Sequence, residues 1–165
     1  MRIGLGYDVH AFAQGRTLVL GGVTIADHMG LAGHSDADVL AHAVADAVLG
    51  ALREGDIGKL FPDTDPAYSG ADSLELLAQV GALCAARGFR IVDVDSVLIL
   101  ETPKIAPYRE AMRRNLASAL RIAPDCVGVK ATTTERLGFE GRGEGVGAQA
   151  VVLLERVSEW PDLLD

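Results

Sequence analysis

Near the start of the chain stands Asp8-Val9-His10, and a further histidine, His42, lies in a later stretch with helical patterning. One carboxylate and two imidazoles form a donor set for a divalent metal. Catalytic zinc commonly takes three protein ligands and leaves a fourth position open. Residues two apart on a strand point to one face, so Asp8 and His10 can reach a single ion together. Ile3, Leu5, Tyr7 and Val9 alternate as a strand does, with Val9 expected to pack behind the two ligands. By itself the triplet also describes an ordinary polar strand end. His42 is what turns it toward metal chemistry.

Asp38, His42 and Asp46 fall at i, i+4 and i+8, on one stripe of a helix. One nitrogen of His42 would bind the ion while the other donates to a carboxylate that sets the tautomer. Asp46 is the candidate for that partner by spacing alone, and a plain polar helix face is the alternative for Asp38. His34 and Ser35 sit where the chain enters this helix, and the free N–H groups of a helix start attract phosphate oxygens. His28 has no evident partner and reads as structural. Further on, Thr132-Thr133-Thr134-Glu135 places three hydroxyls beside a carboxylate. That suits a phosphate-binding corner with a Mg2+ ligand, since Mg2+ is held by one or two carboxylates, waters and substrate phosphates. Threonines are also simply good strand residues. In Gly141-Arg142-Gly143-Glu144-Gly145 one arginine stands among glycines that permit close backbone approach, in neither a P-loop nor a dinucleotide-binding pattern.

The elements that must position these groups follow from periodicity and punctuation. After the first strand, Thr17 to Ile25 reads as a β segment interrupted by Gly21-Gly22, and Asp27 to Gly33 as an irregular loop. A helix is predicted over Asp36 to Leu52, with Ser35 as N-cap and Asp38 completing a capping box. Gly55 to Pro66 is loop. A second helix spans Asp72 to Arg87 and is stopped by Gly88. Phe89 to Glu101 is a strand, and Pro103 and Pro107 frame a turn. Pro107 is placed at the first position of a helix running from Tyr108 to Arg121. Strands follow at Cys126 to Thr134 and Ala148 to Val157, with a glycine-rich loop or irregular strand over Phe139 to Gly147. The order β-β-α-α-β-α-β-β predicts an α+β fold, an α/β sandwich with helices on one face of a mixed sheet. Residues 1–157 form one domain, and residues 158–165, with Trp160 and Pro161, form an unassigned tail. The second sheet face needs a cover, which a partner subunit is expected to supply.

Composition bounds the partners. At 165 residues, 49% hydrophobic but 5% aromatic, the chain can build one aliphatic core. A net charge of −8 argues against nucleic acid as a partner. An anionic substrate would then need metal ions, placed Lys or Arg residues, or helix N-termini. Cys84 and Cys126 form no C-x-x-C motif and read as thiols of a reducing compartment, a disulfide being the alternative. Neither a secretory signal nor a membrane span is read, so a cytoplasmic protein or a mature organelle form is expected.

These pieces resemble the 2-C-methyl-D-erythritol 2,4-cyclodiphosphate synthase family over nearly the whole chain, from Gly4 to about Leu154. The carriers are Gly6-Tyr7-Asp8-Val9-His10, Gly33-His34-Ser35-Asp36-Ala37-Asp38 with His42, and Gly55-Asp56-Ile57-Gly58 with Phe61-Pro62-Asp63-Thr64-Asp65. Pro103-Lys104-Ile105 with Pro107, Lys130-Ala131-Thr132-Thr133-Thr134-Glu135, and Gly138-Phe139 with Gly141 to Gly145 complete the set.

The resemblance implies conversion of a CDP-linked methylerythritol 2-phosphate into a cyclic diphosphate, with release of CMP, in the non-mevalonate route to isoprenoid precursors. It implies one Zn2+ per subunit on Asp8, His10 and His42, and Mg2+ or Mn2+ on Glu135 with the substrate. His34 and Thr133 become transition-state stabilisers, and Asp8, Val9, His10, His34 and Ser35 line the substrate site. Asp56, Ile57 and Gly58, with Phe61, Pro62, Asp63, Thr64 and Asp65, would contact the methylerythritol part. Leu100, Glu101, Thr102, Pro103, Lys104, Ile105 and Ala106, with Ala131, Thr132, Thr133, Thr134 and Glu135, would hold the cytidine diphosphate end. A homotrimer with active sites between subunits is implied, as is a central cavity near Phe139 and Arg142 associated with isoprenoid diphosphates. Two other readings of the same residues are a zinc hydrolase acting on a phosphoester, separable from a cyclase by its product, and a trimeric binding module without turnover.

Overall fold

The computed structural model describes residues 1–157; the predicted tail lies outside the described residues. Four strands come first: β1 (Arg2–Ala13), β2 (Leu18–Leu20), β3 (Val23–Ile25) and β4 (Gly30–Leu31). Helices α1 (Val39–Leu52), α2 (Ile57–Leu60) and α3 (Ser73–Ala86) follow, then β5 (Phe89–Ile99), α4 (Arg109–Leu120), β6 (Val127–Thr132), α5 (Gly138–Gly141) and β7 (Gly145–Arg156). The five-stranded sheet has the order β4-β1-β7-β5-β6, mixed because only β5 and β6 run parallel. β2 and β3 pair with each other as a separate hairpin.

β1 has two unlike faces. Gly4, Gly6, Asp8 and His10 point toward α1, whereas Ile3, Leu5, Tyr7 and Val9 are exposed on the opposite side. The glycines explain how close the helix comes. A Cβ at Gly4 would stand 1.8 Å from the Ala47 carbonyl oxygen, and one at Gly6 would stand 1.9 Å from that of Ala43. α1 therefore rests on bare backbone, and His42 is carried down to the level of Asp8 and His10. The helix itself is buried almost all round, by Val39, Leu40, Val44, Val48 and Leu49 among others, as befits a helix between a sheet and its neighbour α3.

Several sequence expectations are corrected. The cap of α1 is Asp38, not Ser35: its fully buried carboxylate accepts from the N–H groups of Leu40 and Ala41. The same carboxylate accepts from Gly21 and Gly22, at 2.9 and 2.6 Å, and so fastens the hairpin turn to the helix start. Ser35 turns inward before the helix begins, its Oγ accepting from the Ala37 N–H. α4 starts at Arg109 with Tyr108 as its cap, so Pro107 precedes the helix rather than opening it. Val9 does not pack behind the ligands, because alternation sends it to the uncovered sheet face, where Ile3 and Leu5 are 66% and 69% exposed. β7 begins at Gly145, taking in residues read as loop, because Gly145, Val146 and Gly147 pair with Ala11, His10 and Val9. Among the described residues no helix is long and apolar enough to cross a membrane.

Candidate metal centre and flanking pockets

Asp8, His10 and His42 converge. Asp8 Oδ2 lies 2.9 Å from His10 Nε2 and 3.0 Å from His42 Nδ1, and the two ring nitrogens are 3.1 Å apart. Ligands about 2.0 Å from a tetrahedral zinc would be roughly 3.3 Å from one another, so the triangle fits such an ion after opening by a few tenths of an ångström. Two imidazole nitrogens facing each other beside one carboxylate need a cation between them, a proton or a metal. Burial pushes the Asp8 carboxyl up, but hydrogen bonds from His10 and His42 outweigh it and hold the group below the usual carboxylate range. Burial also works against a charged His10, yet the Asp8 carboxylate prevails and raises its pKa.

The far sides of the two rings are also engaged. His10 Nδ1 is 2.6 Å from the Ala32 carbonyl oxygen, which can only accept, so Nδ1 carries hydrogen and Nε2 is the atom that faces the triangle, donating to Asp8 when protonated and free to ligate when not. His42 Nε2 is 2.9 Å from Ser73 Oγ and 3.3 Å from Ser35 Oγ. Asp46 is not the partner that spacing suggested. Its half-buried carboxylate accepts from the Ile57 N–H at 2.7 Å and anchors α2, while burial raises its pKa. Ser73 was missed because a serine following Asp72 at a helix start reads as capping. Arg16 was missed too: its guanidinium donates to the carbonyls of Gly33 and Ser35 and braces the loop that carries His34.

A cavity of about 370 Å3 opens beside the triangle, lined by His10, His34, Ser35 and His42 on one side and by Ile57, Gly58, Phe61 and Asp63 on the other. His34 Nε2 donates to the Asp65 carbonyl at 3.2 Å. Asp56 and Asp65 use their carboxylates locally, accepting from the N–H groups of Lys59 and Ala67. Asp63 is exposed and makes no side-chain hydrogen bond among the described residues, whereas Pro62 and Thr64 are exposed and do not line the cavity.

A second cavity, about 220 Å3, is lined by Leu100, Glu101, Pro103, Lys104, Ile105, Ala106, Ala131, Thr132 and Thr133. It shares no lining residue with the first. Thr102 lies just outside its wall, with its Oγ1 3.2 Å from His28 Nε2, so His28 braces this loop. Thr133 Oγ1 donates to Glu135 Oε1 at 2.7 Å. The Glu101 carboxylate accepts from the N–H groups of Thr134 and Arg136, holding a turn in which Glu135 and Arg136 both take positive φ. Strained non-glycine residues of this kind cluster at ligand clamps. Glu135 is not part of the Asp8–His10–His42 group. Phe139 on α5 and Arg142 just after it line neither cavity, and Arg142 pairs with Glu144. The two cysteines are free, Cys84 buried and Cys126 half-buried.

Fold and site together define the class: an α+β enzyme with a three-ligand group able to hold a metal ion. The YgbB family model matches residues 1–155, and the chain belongs to that family. Its relatives are named as enzymes. It is 59% identical over 156 residues to 2-C-methyl-D-erythritol 2,4-cyclodiphosphate synthase of Geotalea uraniireducens, covering 94% of this chain and 99% of the relative. A solved 2C-methyl-D-erythritol-2,4-cyclodiphosphate synthase in its CDP-bound form superposes with a TM-score of 0.85 at 41% identity, covering 93% of this chain and all of that one. The bifunctional IspDF of Campylobacter jejuni gives a TM-score of 0.90 at 44% identity over 94% of this chain, which spans 42% of that longer protein.

Proposed function

We propose that the chain is a phosphorus–oxygen lyase of the non-mevalonate isoprenoid pathway. Its reaction would cyclise 4-diphosphocytidyl-2-C-methyl-D-erythritol 2-phosphate to 2-C-methyl-D-erythritol 2,4-cyclodiphosphate. The observation that carries this reading is the Asp8–His10–His42 triangle, whose two histidines stand in the wall of the His34–Phe61 cavity, on a chain whose 59%-identical relative bears that enzyme name.

An oxygen of the substrate's 2-phosphate attacks the β-phosphorus, the bond from that phosphorus to CMP breaks, and CMP leaves. A phosphate monoester has a second pKa of about 6, so the nucleophile needs no general base at neutral pH. The obstacle is repulsion between anions, about 4 kcal/mol for two unit charges ~4 Å apart at an effective dielectric of ~20. Asp8, His10 and His42 would hold Zn2+, one per subunit, and Glu135 would hold Mg2+ or Mn2+. When bound, such ions neutralise phosphate charge and polarise the phosphorus under attack.

The chain's own residues supply the rest. His34 and Thr133 are assigned to the transferring phosphoryl group, and Ser35 to its approach along the cavity wall. Asp63 is the carboxylate left over from capping, and so the one to accept from hydroxyls of the methylerythritol, while Phe61 walls its apolar side. Leu100 to Ala106 and Ala131 to Thr134, most of which line the second cavity, would take the cytidine diphosphate, on a chain with a solved relative that binds CDP. Lys104 forms no ion pair among the described residues and is placed to meet the diphosphate. Because the two cavities share no residue, we place the complete site between adjacent subunits of a homotrimer, with the uncovered sheet face turned inward and Phe139 and Arg142 near the axis.

Phosphorus NMR of the purified protein with substrate and Mg2+, with and without a zinc chelator, tests the reading. Coupled cyclic-diphosphate signals with CMP, lost on zinc removal, are expected. CMP with a linear bisphosphate would reveal a hydrolase, and no turnover in metal-replete protein would leave a binding module.

A further inference from the structure

Ser73 is the first residue of α3 and is 1% exposed. Its hydroxyl lies within hydrogen-bond distance of three groups: the Asp36 carboxylate, His42 Nε2 at 2.9 Å and, more loosely, Ser35 Oγ at 3.4 Å. A serine hydroxyl has one hydrogen to donate. Asp36 Oδ1, as part of a carboxylate, can only accept, so the Ser73 hydrogen goes to it. The Ser73 N–H donates to the other oxygen, Asp36 Oδ2, at 3.2 Å, which fixes the carboxylate against the start of α3. What Ser73 then turns toward His42 is an oxygen lone pair, and only an Nε2–H can meet it. With the proton on Nε2, Nδ1 of the neutral ring is left bare and faces Asp8 and His10 at 3.0 and 3.1 Å.

We propose that Asp36 and Ser73 are positioning residues: through one directed hydrogen bond after another they hold His42 in the tautomer that ligates through Nδ1. The proposal rests on the metal-binding reading of Asp8, His10 and His42. Each ligating histidine then has its own device, with opposite nitrogens chosen. His10 is held by the backbone carbonyl of Ala32 and ligates through Nε2; His42 is held by Ser73 and Asp36 and ligates through Nδ1. Groups that orient a ligating histidine typically contribute 10- to 100-fold in metal affinity. The relay also joins two separate parts of the chain, since Asp36 precedes α1 and Ser73 opens α3. His42 is thereby oriented from outside its own helix.

Two measurements on the full chain decide the matter. Long-range 1H–15N correlation of the zinc-loaded wild type reports the His42 tautomer directly, and hydrogen on Nε2 with a metal-shifted Nδ1 is expected, because without the ion the Asp8 carboxylate, 3.0 Å away, itself calls for hydrogen on Nδ1. A population dominated by Nδ1–H would overturn the proposal, and this reading needs no variant to fold. Zinc affinity, measured by competition with a chromophoric chelator, is expected to fall 10- to 100-fold in Ser73→Ala. In Asp36→Asn the amide can donate to Ser73 and reverse the direction of the relay, so zinc affinity should fall in that variant as well. Unchanged zinc affinity in a folded Ser73→Ala protein would also overturn the assignment. His42→Ala separates the two ideas. If it too binds zinc as the wild type does, the metal reading itself is wrong; if it alone loses zinc, only the relay is.

Discussion

Gly6 of β1 lies against Ala43 of α1 so closely that a Cβ on residue 6 would stand 1.9 Å from the Ala43 carbonyl oxygen and 2.6 Å from the Ala47 nitrogen. Both neighbours are backbone, which cannot rotate aside as a side chain can. Gly6→Ala is therefore expected to push α1 off the sheet, destabilising the protein by about 1–3 kcal/mol as overpacking does. His42 would move with the helix, so zinc content should fall as well. Gly50→Ala is the control: its nearest neighbour is the Leu5 carbonyl oxygen at 3.8 Å, and it should be neutral or slightly stabilising. Thermal melts and metal analysis of both variants check the pair.

His42→Ala removes one of three ligands. Zinc is expected to drop from one per chain to a small fraction in purified protein, with turnover lost in parallel. Full activity at wild-type zinc content would rule out the ligand assignment.

The pH response should reverse sign when zinc is added. In metal-free protein the raised pKa of His10 gives stability that is present below its ordinary value of about 6.5 and lost as pH rises through the folded value. The lowered pKa of Asp8 gives stability that is present above about 3.9 and lost as pH falls through the folded value. The Asp8–His10 pair thus supports the metal-free fold most between about pH 4 and 6.5. Zinc instead requires neutral imidazoles, so its affinity should weaken by up to about tenfold per pH unit on acidification below the His10 pKa. Melts with and without zinc from pH 5 to 8.5 should show a zinc-induced stabilisation that grows with pH; a constant increment would count against His10 as a ligand.

Glu135→Gln keeps the hydrogen-bond reach to Thr133 but loses the charge. Expected are an intact zinc stoichiometry and a Mg2+ or Mn2+ activation curve moved to higher concentration. A superimposable curve would remove Glu135 from the metal assignment.

Co-expression of two inactive variants tests whether the site is shared between subunits. His42→Ala spoils the first cavity and Thr133→Ala the second. If one subunit's first cavity meets another's second, random mixing restores about a quarter of the sites, since each half is intact with probability of about one half. If both halves come from one chain, the mixture stays inactive.

The metal triad was legible because two short-range rules reach it: strand alternation for Asp8 and His10, and an unusual polar residue on an alanine-rich helix for His42. The boundaries of the long helices α1, α3 and α4 were legible to within a few residues, although Asp38 took the capping role read for Ser35. The single-turn helices α2 and α5 fell where loop or irregular strand was read, being too short to show a helical period. Val9 was misread because alternation tells which residues share a face, not which face the helices cover; the glycines at 4 and 6 were the available signal. The partner of His42 was not legible at all. Asp46 shares its helix and offered itself by spacing, whereas Ser73 arrives from another helix through tertiary packing that no periodicity encodes. The Glu101 anchor of the Thr133–Glu135 turn escaped for the same reason, being joined to it only by the β5–β6 pairing.

A reading frame of a kind is built into β1. Its glycines admit the helix, its acid and imidazole follow at the same parity, and its large apolar residues occupy the other parity. Loss or gain of one residue before Asp8 would exchange the two sets. Leu5 or Tyr7 would then be driven into the α1 backbone, and any that remained paired would do so with glycine turned to solvent. Such an insertion or deletion cannot yield a folded but metal-free protein: it removes helix docking in the same stroke. Variation in this segment should accordingly be confined to substitution, with changes in length tolerated only outside the strand, before Arg2 or beyond Ala13.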